Sequence, residues 1–251
     1  MSVTPHEHPL LRVATWNIHK GVQGMGPAKR LEIHNIGHAV EQLDADLVCL
    51  QEVRFVNRRE QRRFARWPEQ PQADFLAPEG YEPVYRTNAV TRHGEHGNAL
   101  LSRWPVLSHQ HHDISDHRFE QRGLLHAEVQ VAGRTVHALV VHLGLIPGSR
   151  ERQVARLKAY IAREVPAADP VIVAGDFNDW GKRLTRLLAH AGLCEFVGAR
   201  TPTYPSRLPL TQLDHVYARG LKPVSTMVPQ GRIWRQMSDH LPLVAEFSWM
   251  D

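Results

Sequence analysis

The chain has 251 residues, of which 42% are hydrophobic and 22% charged, and its net charge is +4 at neutral pH. That is enough to build an ample core in an ordinary globular domain. It excludes a disulfide-built scaffold, since Cys49 and Cys194 are the only cysteines.

In chain order, the N-terminus lacks the basic and apolar blocks of a signal peptide, and no apolar run reaches the ~18–20 residues of a membrane span. A cytoplasmic protein without a transmembrane span is therefore expected. "LLRVATWN" (residues 10–17) reads as a buried strand. Ile33, Ile36, Val40 and Leu43 follow at helical spacing. "DLVCLQEV" (46–53) is the next strand and should bury the Cys49 thiol. Residues 58–80 are polar, rich in arginine and broken by Pro68, Pro71 and Pro78, which predicts a surface excursion.

"GNALLSRWPV" (97–106) resumes strand character, and "SHQHHDIS" (108–115) reads as a polar loop. Its His109, His111 and His112 are of the type a zinc site uses. Residues 123–143 predict a hairpin turning at Ala132-Gly133. A helix follows Pro147-Gly148, with Ser149 as N-cap and Val154, Leu157, Ile161 and Val165 on one face. "PVIVAGDFN" (170–178) is a strand, Leu184, Leu187, Leu188 and Ala191 mark a helix ended by Gly192, and "LDHVYA" (213–218) is a short strand. "SDHLPLVAEFSW" (238–249) supplies a polar loop and a closing strand. Mixed elements of this kind predict an α/β (α+β) protein, one domain over residues 10–250 with a short extension at 1–9.

The strand ends share a peculiarity. Asn17 ends the first strand, Glu52 the second, His142 the hairpin, and Asp176 with Asn178 the strand ending in "GDFN". Asp214 opens its strand, and Asp239-His240 precede the last. Side chains two apart on a strand point the same way, so Asp176 and Asn178 are expected to face one spot. The carboxylates and amides are hard oxygen donors suited to Mg²⁺, with Mn²⁺ or Ca²⁺ also possible, and His142 and His240 can move protons near neutral pH. That inventory suits hydrolysis of a phosphate ester.

"TWNIHKG", "LQEV", "GNALLSRWPV", "VHLG", "GDFND", "LDHVY" and "SDHLPL", in this order, resemble the motif set of the endonuclease/exonuclease/phosphatase superfamily, and of its small bacterial members in particular. The resemblance implies a DNase I-like four-layer sandwich, two packed mixed β-sheets flanked by helices. It implies a Mg²⁺ held by Glu52, Asn17 and Asp239. His240 would be general base or phosphate contact, oriented by Asp214, and His142 general acid or charge stabiliser. Asp176 and Asn178 would position water and a phosphate oxygen, or hold a second metal. Asn98 and Arg122 would contact substrate.

The expected activity is metal-dependent phosphodiester hydrolysis by a monomer, on nucleic acid or a phospholipid headgroup, with peripheral membrane contact possible. The alternatives are a phosphomonoesterase of the same fold or a non-catalytic phosphate-binding module. "VVHLG" stands where abasic-site endonucleases carry a "YVPN"-like segment, which places the chain nearer the other branches. "RREQRRFAR" (58–66) is a solvated helix face or a polyanion contact, and Trp67, Phe75 and Trp180 are candidates for an apolar lip. His215, directly after Asp214, is expected to perturb the site's protonation.

Overall fold

A computed structural model describes residues 10–181, 183–195 and 201–250; the 1–9 extension lies outside them. The strands are β1 (Leu11–Asn17), β2 (Val22–Gln23), β3 (Arg30–Leu31), β4 (Leu47–Asn57), β5 (Glu82–Thr91), β6 (Gly94–Ser102) and β7 (Val106–Asp113). They continue with β8 (Gly123–Val131), β9 (Arg134–His142), β10 (Val171–Asp176), β11 (Asp214–Arg219), β12 (Leu221–Met227) and β13 (Leu243–Trp249). The helices are α1 (Ile33–Leu43), α2 (Arg58–Arg63), α3 (Gln72–Leu76), α4 (Pro147–Glu164), α5 (Arg183–Ala189) and α6 (Trp234–Met237).

Strands apolar on both faces need cover on both sides. A six-stranded sheet ordered β12-β13-β1-β4-β6-β5 meets a five-stranded sheet ordered β11-β10-β9-β8-β7. Each is mixed: β1 runs parallel to β4 and β9 parallel to β10, while β1–β13 and β10–β11 are antiparallel. Their facing sides share one core, with Val13, Cys49 and Leu100 from the first sheet meeting Ala138, Val140, Ile172, Ala174 and Val216 from the second. The outer face of the first sheet packs beneath α1, α3 and α6 through Trp16, Ile36, Val40, Leu76 and Trp234. The outer face of the second packs beneath α4 and α5 through Leu139, Val141, Val173, Leu157 and Leu184. The result is the four-layer mixed sandwich the motif resemblance implied.

Several local expectations change. Residues 108–115 are mostly strand, because β7 pairs with β8 as the edge of its sheet, where its mostly polar side chains stay exposed. The 58–80 excursion contains α2 and α3, and Ala73 and Leu76 are buried. Its Gln72 accepts from the Arg54 amide at 2.8 Å and donates to the Lys20 carbonyl at 3.0 Å. Ser149 does not cap α4, which starts at Pro147 after Ile146; its hydroxyl donates to Asp116 at 2.7 Å. The hairpin turns where expected, with Ala132 and Gly133 both at positive φ as a two-residue turn requires.

Candidate active site

The inner-face parity of three neighbouring strands explains the acids at their ends. Ala138 and Val140 on β9, Ile172 and Ala174 on β10, and Val216 and Ala218 on β11 all point into the inter-sheet core. Continuing each series by two residues reaches His142, Asp176 and Asp214. Those three pair in register, Asp176 with His142 on one side and with Asp214 on the other. The core face thus turns polar in a single row at one end of the sheet. Gly175 lets the strands approach so closely, since a Cβ there would lie 1.8 Å from the Val141 carbonyl oxygen.

Oδ2 of Asp176 is the focus. Asn17 Nδ2, from the end of β1 in the other sheet, donates to it at 3.1 Å. His142 Nε2 lies 3.5 Å away and His240 Nε2 3.6 Å. His240 Nδ1 is hydrogen-bonded to Asp214 Oδ2 at 2.8 Å. The backbone around His240 is pinned by the Trp16 indole, which donates to its carbonyl at 3.0 Å, and by Ser238, whose hydroxyl donates to the Asn17 carbonyl at 2.7 Å. Stretches far apart in sequence therefore meet within a few ångströms, and all these site side chains are buried.

Glu52 reaches the site by a different device. β4 does not end there but continues to Asn57, and Glu52 sits at a bulge where Gln51 and Glu52 together oppose Asn98. Its φ of 58° is left-handed, a strained conformation of the kind that collects at functional sites. Its Oε2 lies 2.7 Å from the Lys20 ammonium. Asp239, about one third exposed, pairs with His19 at 3.1 Å. His19 and Lys20 are themselves both at positive φ. The "NIHKG" loop thus brings the Lys20 ammonium to Glu52 and the His19 ring to Asp239. Sequence reading quoted the motif without assigning those two residues a role.

Electrostatics separates the two histidines. Burial, joined by the Arg122 charge, pushes His142 down to about 4 against the pull of Asp176 and Glu52, so it is neutral. His240 is also disfavoured by burial, but the charges of Asp214, Asp176 and Asp239 and the Asp214 hydrogen bond outweigh it and push it up to about 10. Burial opposes ionisation of Glu52, yet the Lys20 ammonium, through its charge and its hydrogen bond, holds the carboxyl well below the usual range. Asp239 is lowered likewise, its burial overcome by His19 and His240.

The remaining expected site residues are placed as follows. Asn178 does not share a strand face with Asp176: it lies past the end of β10 at φ 50°. It acts through its backbone, whose amide donates to Asp176 Oδ1 at 2.9 Å, while its Nδ2 donates to the Leu143 carbonyl at 3.0 Å. Asn98 is buried between the sheets, donating to the carbonyls of Gly123 and Val140 at 3.0 Å each, so its amide hydrogens tie the sheets together and are not free for substrate. Arg122 comes near enough to His142 to depress its basicity, and its Nε is buried without a hydrogen-bond partner.

His215 faces the opposite side of the sheet, bonded to Glu195 at 2.8 Å and against Phe177, so it does not adjoin the Asp214 carboxylate as expected. Of the loop histidines, His112 packs on Tyr160, whereas His109 and His111 project from the other face of β7, so they form no common metal site. Trp67 stacks on Phe64 and Phe75 sits edge-on to His34, leaving Trp180 as the lip residue at the site. Tyr204, which sequence reading passed over, packs its ring 4.9 Å from His240. It lies in an irregular, Pro-rich loop, where neither period nor motif marks it.

Among the described residues Asp176, Asp214 and His240 place ligand-type atoms within 4.8 Å of one another. In that trio His240 and Asp214 are already hydrogen-bonded to each other, Nδ1 to Oδ2 at 2.8 Å. Further carboxylate oxygens lie at Glu52 and Asp239, each paired with one side chain of the same loop, Lys20 and His19 respectively. Their donor set fits a divalent cation.

Two mixed sheets packed face to face between helices, with acids and imidazoles gathered at one end of the shared core, define a DNase I-like sandwich protein. The chain belongs to the Endonuclease/Exonuclease/phosphatase family, which it matches over residues 14–240. It is 36% identical to the YbhP protein of Escherichia coli (strain K12) over 243 residues, 94% of this chain and 95% of that one. An endonuclease/exonuclease/phosphatase structure from Beutenbergia cavernae superposes with a TM-score of 0.76 at 23% identity, covering 96% of this chain and 72% of that chain. A mannosyl-6-phosphatase from Bacteroides thetaiotaomicron gives 0.71 at 17% identity, covering 95% and 100%.

Proposed function

We propose that the protein is a divalent-metal-dependent phosphodiesterase acting by in-line attack of water on phosphorus. The observation that carries this reading is the convergence of Asn17, His142 and His240 on Asp176 Oδ2. Asn17 and the Asn178 amide fix the Asp176 carboxylate from either oxygen, which leaves it oriented to hold the attacking water and take its proton. His240, held as a cation by Asp214, donates from Nε2 to a phosphoryl oxygen as negative charge builds there. Neutral His142, across Asp176 from it, would donate a ring N–H hydrogen bond to the departing oxygen, which takes its proton from solvent, and Arg122 would bind the phosphate charge.

Glu52, Asp239 and the Asn17 oxygen would hold Mg²⁺, or Mn²⁺ or Ca²⁺, with Lys20 and His19 giving way to it. Such an ion, held there, would offset charge on the phosphoryl oxygens. Family membership covers nucleases, phosphodiesterases and phosphatases alike, so the ester class rests on the site and its surroundings. The substrate is a diester of nucleic acid or of a phospholipid headgroup.

The test is a panel of plasmid DNA, RNA, bis(4-nitrophenyl) phosphate, 4-nitrophenyl phosphate and a phospholipid, each assayed with Mg²⁺ and with EDTA. Diester turnover that stops with EDTA is the expected result. Turnover of the monoester alone, or turnover indifferent to chelation, would overturn the reading.

A further inference from the structure

The loops that deliver the site residues also push apolar side chains into solvent. Leu145 and Ile146 come three and four positions after His142, and Phe119 lies in the loop between β7 and β8. With Val90 from β5 they line a cleft of about 610 Å³ whose wall includes His96, Arg118 and Arg122. Phe119 is 80% exposed, Val90 69% and Leu145 65%. The cleft adjoins the site, because Arg122 reaches His142 electrostatically and the Glu120 it pairs with accepts from the Leu145 amide at 2.9 Å. Elsewhere on the mouth, Trp180 is exposed with its ring against Tyr204, the neighbour of His240, and Leu208 and Leu210 are exposed in the Tyr204 loop. Clustered exposed apolar groups on a chain with a large core mark a contact surface.

The second observation is charge. A groove of about 570 Å³ is lined by Arg58, Arg59, Arg62, Arg63, Arg92 and His93, and none of its lining side chains is acidic. A smaller depression joins it to the cleft, sharing Arg58, Arg92 and His93 with the groove and Val90 and Thr91 with the cleft. Basic groove, apolar tips and site therefore follow one another along one continuous stretch of surface.

We infer that this stretch docks the protein on an anionic phospholipid bilayer, the apolar tips entering the headgroup–acyl boundary while the arginine groove lies on the headgroups. The substrate then is a headgroup phosphodiester presented at the surface, a conclusion that rests on the phosphodiesterase reading above. A nucleic-acid track fits less well. Single strands are held by aromatic faces on which several successive bases stack, whereas the cleft is tipped by Val90, Leu145 and Ile146, its Phe119 ring already stacks on His117 at 4.9 Å, and the exposed Trp180 is engaged with Tyr204.

The experiment is co-sedimentation of the full chain with vesicles of phosphatidylcholine alone or mixed with phosphatidylglycerol, in EDTA, using the His240→Ala variant so that binding is read without turnover. Binding to the mixed vesicles, and much less to the neutral ones, is expected. Combining Phe119→Ser, Leu145→Ser and Leu208→Ser should weaken it by roughly tenfold or more, and Arg59→Glu with Arg62→Glu should do the same. Introduced into the wild-type chain, the same substitutions should leave hydrolysis of soluble bis(4-nitrophenyl) phosphate unchanged. Equal sedimentation with neutral and anionic vesicles, no sedimentation, or serine variants that bind as before would overturn the docking surface. So would single-stranded DNA bound more tightly than the vesicles and lost only with the arginines. Diester hydrolysis without vesicle binding removes the docking surface and leaves the chemistry standing; vesicle binding by a chain that hydrolyses no diester does the reverse.

Discussion

β9 carries a histidine to each of its faces, and the two are treated differently. On the outer face, beneath α4, His137 Nδ1 bonds His126 Nε2 at 2.9 Å, and His126 Nδ1 bonds the Tyr160 hydroxyl at 2.9 Å. The chain ends at Asp169, 3.3 Å from His137 Nε2. Every ring nitrogen there has a partner. On the inner face His142 Nε2 stands 3.5 Å from Asp176, and the buried Asp214 Oδ1 has no hydrogen-bond partner. Burial alone does not distinguish the clusters. A polar network that serves packing closes its hydrogen bonds, because each open one costs stability. A network kept open at a sheet end implies a ligand whose binding completes it.

The sharpest way to break that comparison is to remove the inner focus. Asp176→Asn is expected to cut kcat/KM on a diester by about a thousandfold or more, with the urea midpoint little changed. A variant that keeps its activity would show the open cluster to be structural after all. His126→Phe should do the opposite. It leaves His137 Nδ1 without its partner and takes His126 from the Tyr160 hydroxyl, and should cost about 2–3 kcal/mol of stability by urea titration, with kcat of the folded enzyme unchanged.

A third prediction concerns pH. Burial, with help from the His137 charge, pushes His126 down to about 4. Unfolded, the same ring titrates near ~6.5, so between these values the unfolded state binds more protons. The neutral ring's contribution is complete above that upper value and is lost as pH falls toward about 4. Urea midpoints measured across this range should therefore fall with pH, and His126→Gln should make the fall shallower without abolishing it, since His96 and His142 are lowered in the same way. The smallest effect is expected next to the site. Asp179 accepts from the Leu184 amide at 2.8 Å in the first turn of α5, and Asp179→Ala should cost about 1 kcal/mol while diester turnover persists. Loss of turnover there would place Asp179 in the chemistry.

How much could be read in advance depends on the kind of residue. Asn17, His142, Asp176 and Asp214 stand at strand ends that a period of two locates, and their motifs marked them. Glu52 was marked by its motif, but the bulge that aims it depends on pairing with β6, which no local pattern announces. β7 was misread because an edge strand held by backbone pairing alone, with nearly all its side chains exposed, carries no apolar alternation, so its histidines resemble a loop. His215 was misread because a neighbour in sequence on a strand is a stranger in space, one residue apart and on the opposite face.

By itself the sequence determined the alternation of strands and helices, the apolar series that must be buried, and which polar residues terminate them, because these follow from local period and solvation. Only the tertiary structure decided that β9, β10 and β11 lie side by side in register and that β1 crosses to meet them from the other sheet. Strand neighbours are chosen by hydrogen bonding and packing between segments distant in the chain, a free-energy balance that no short stretch contains.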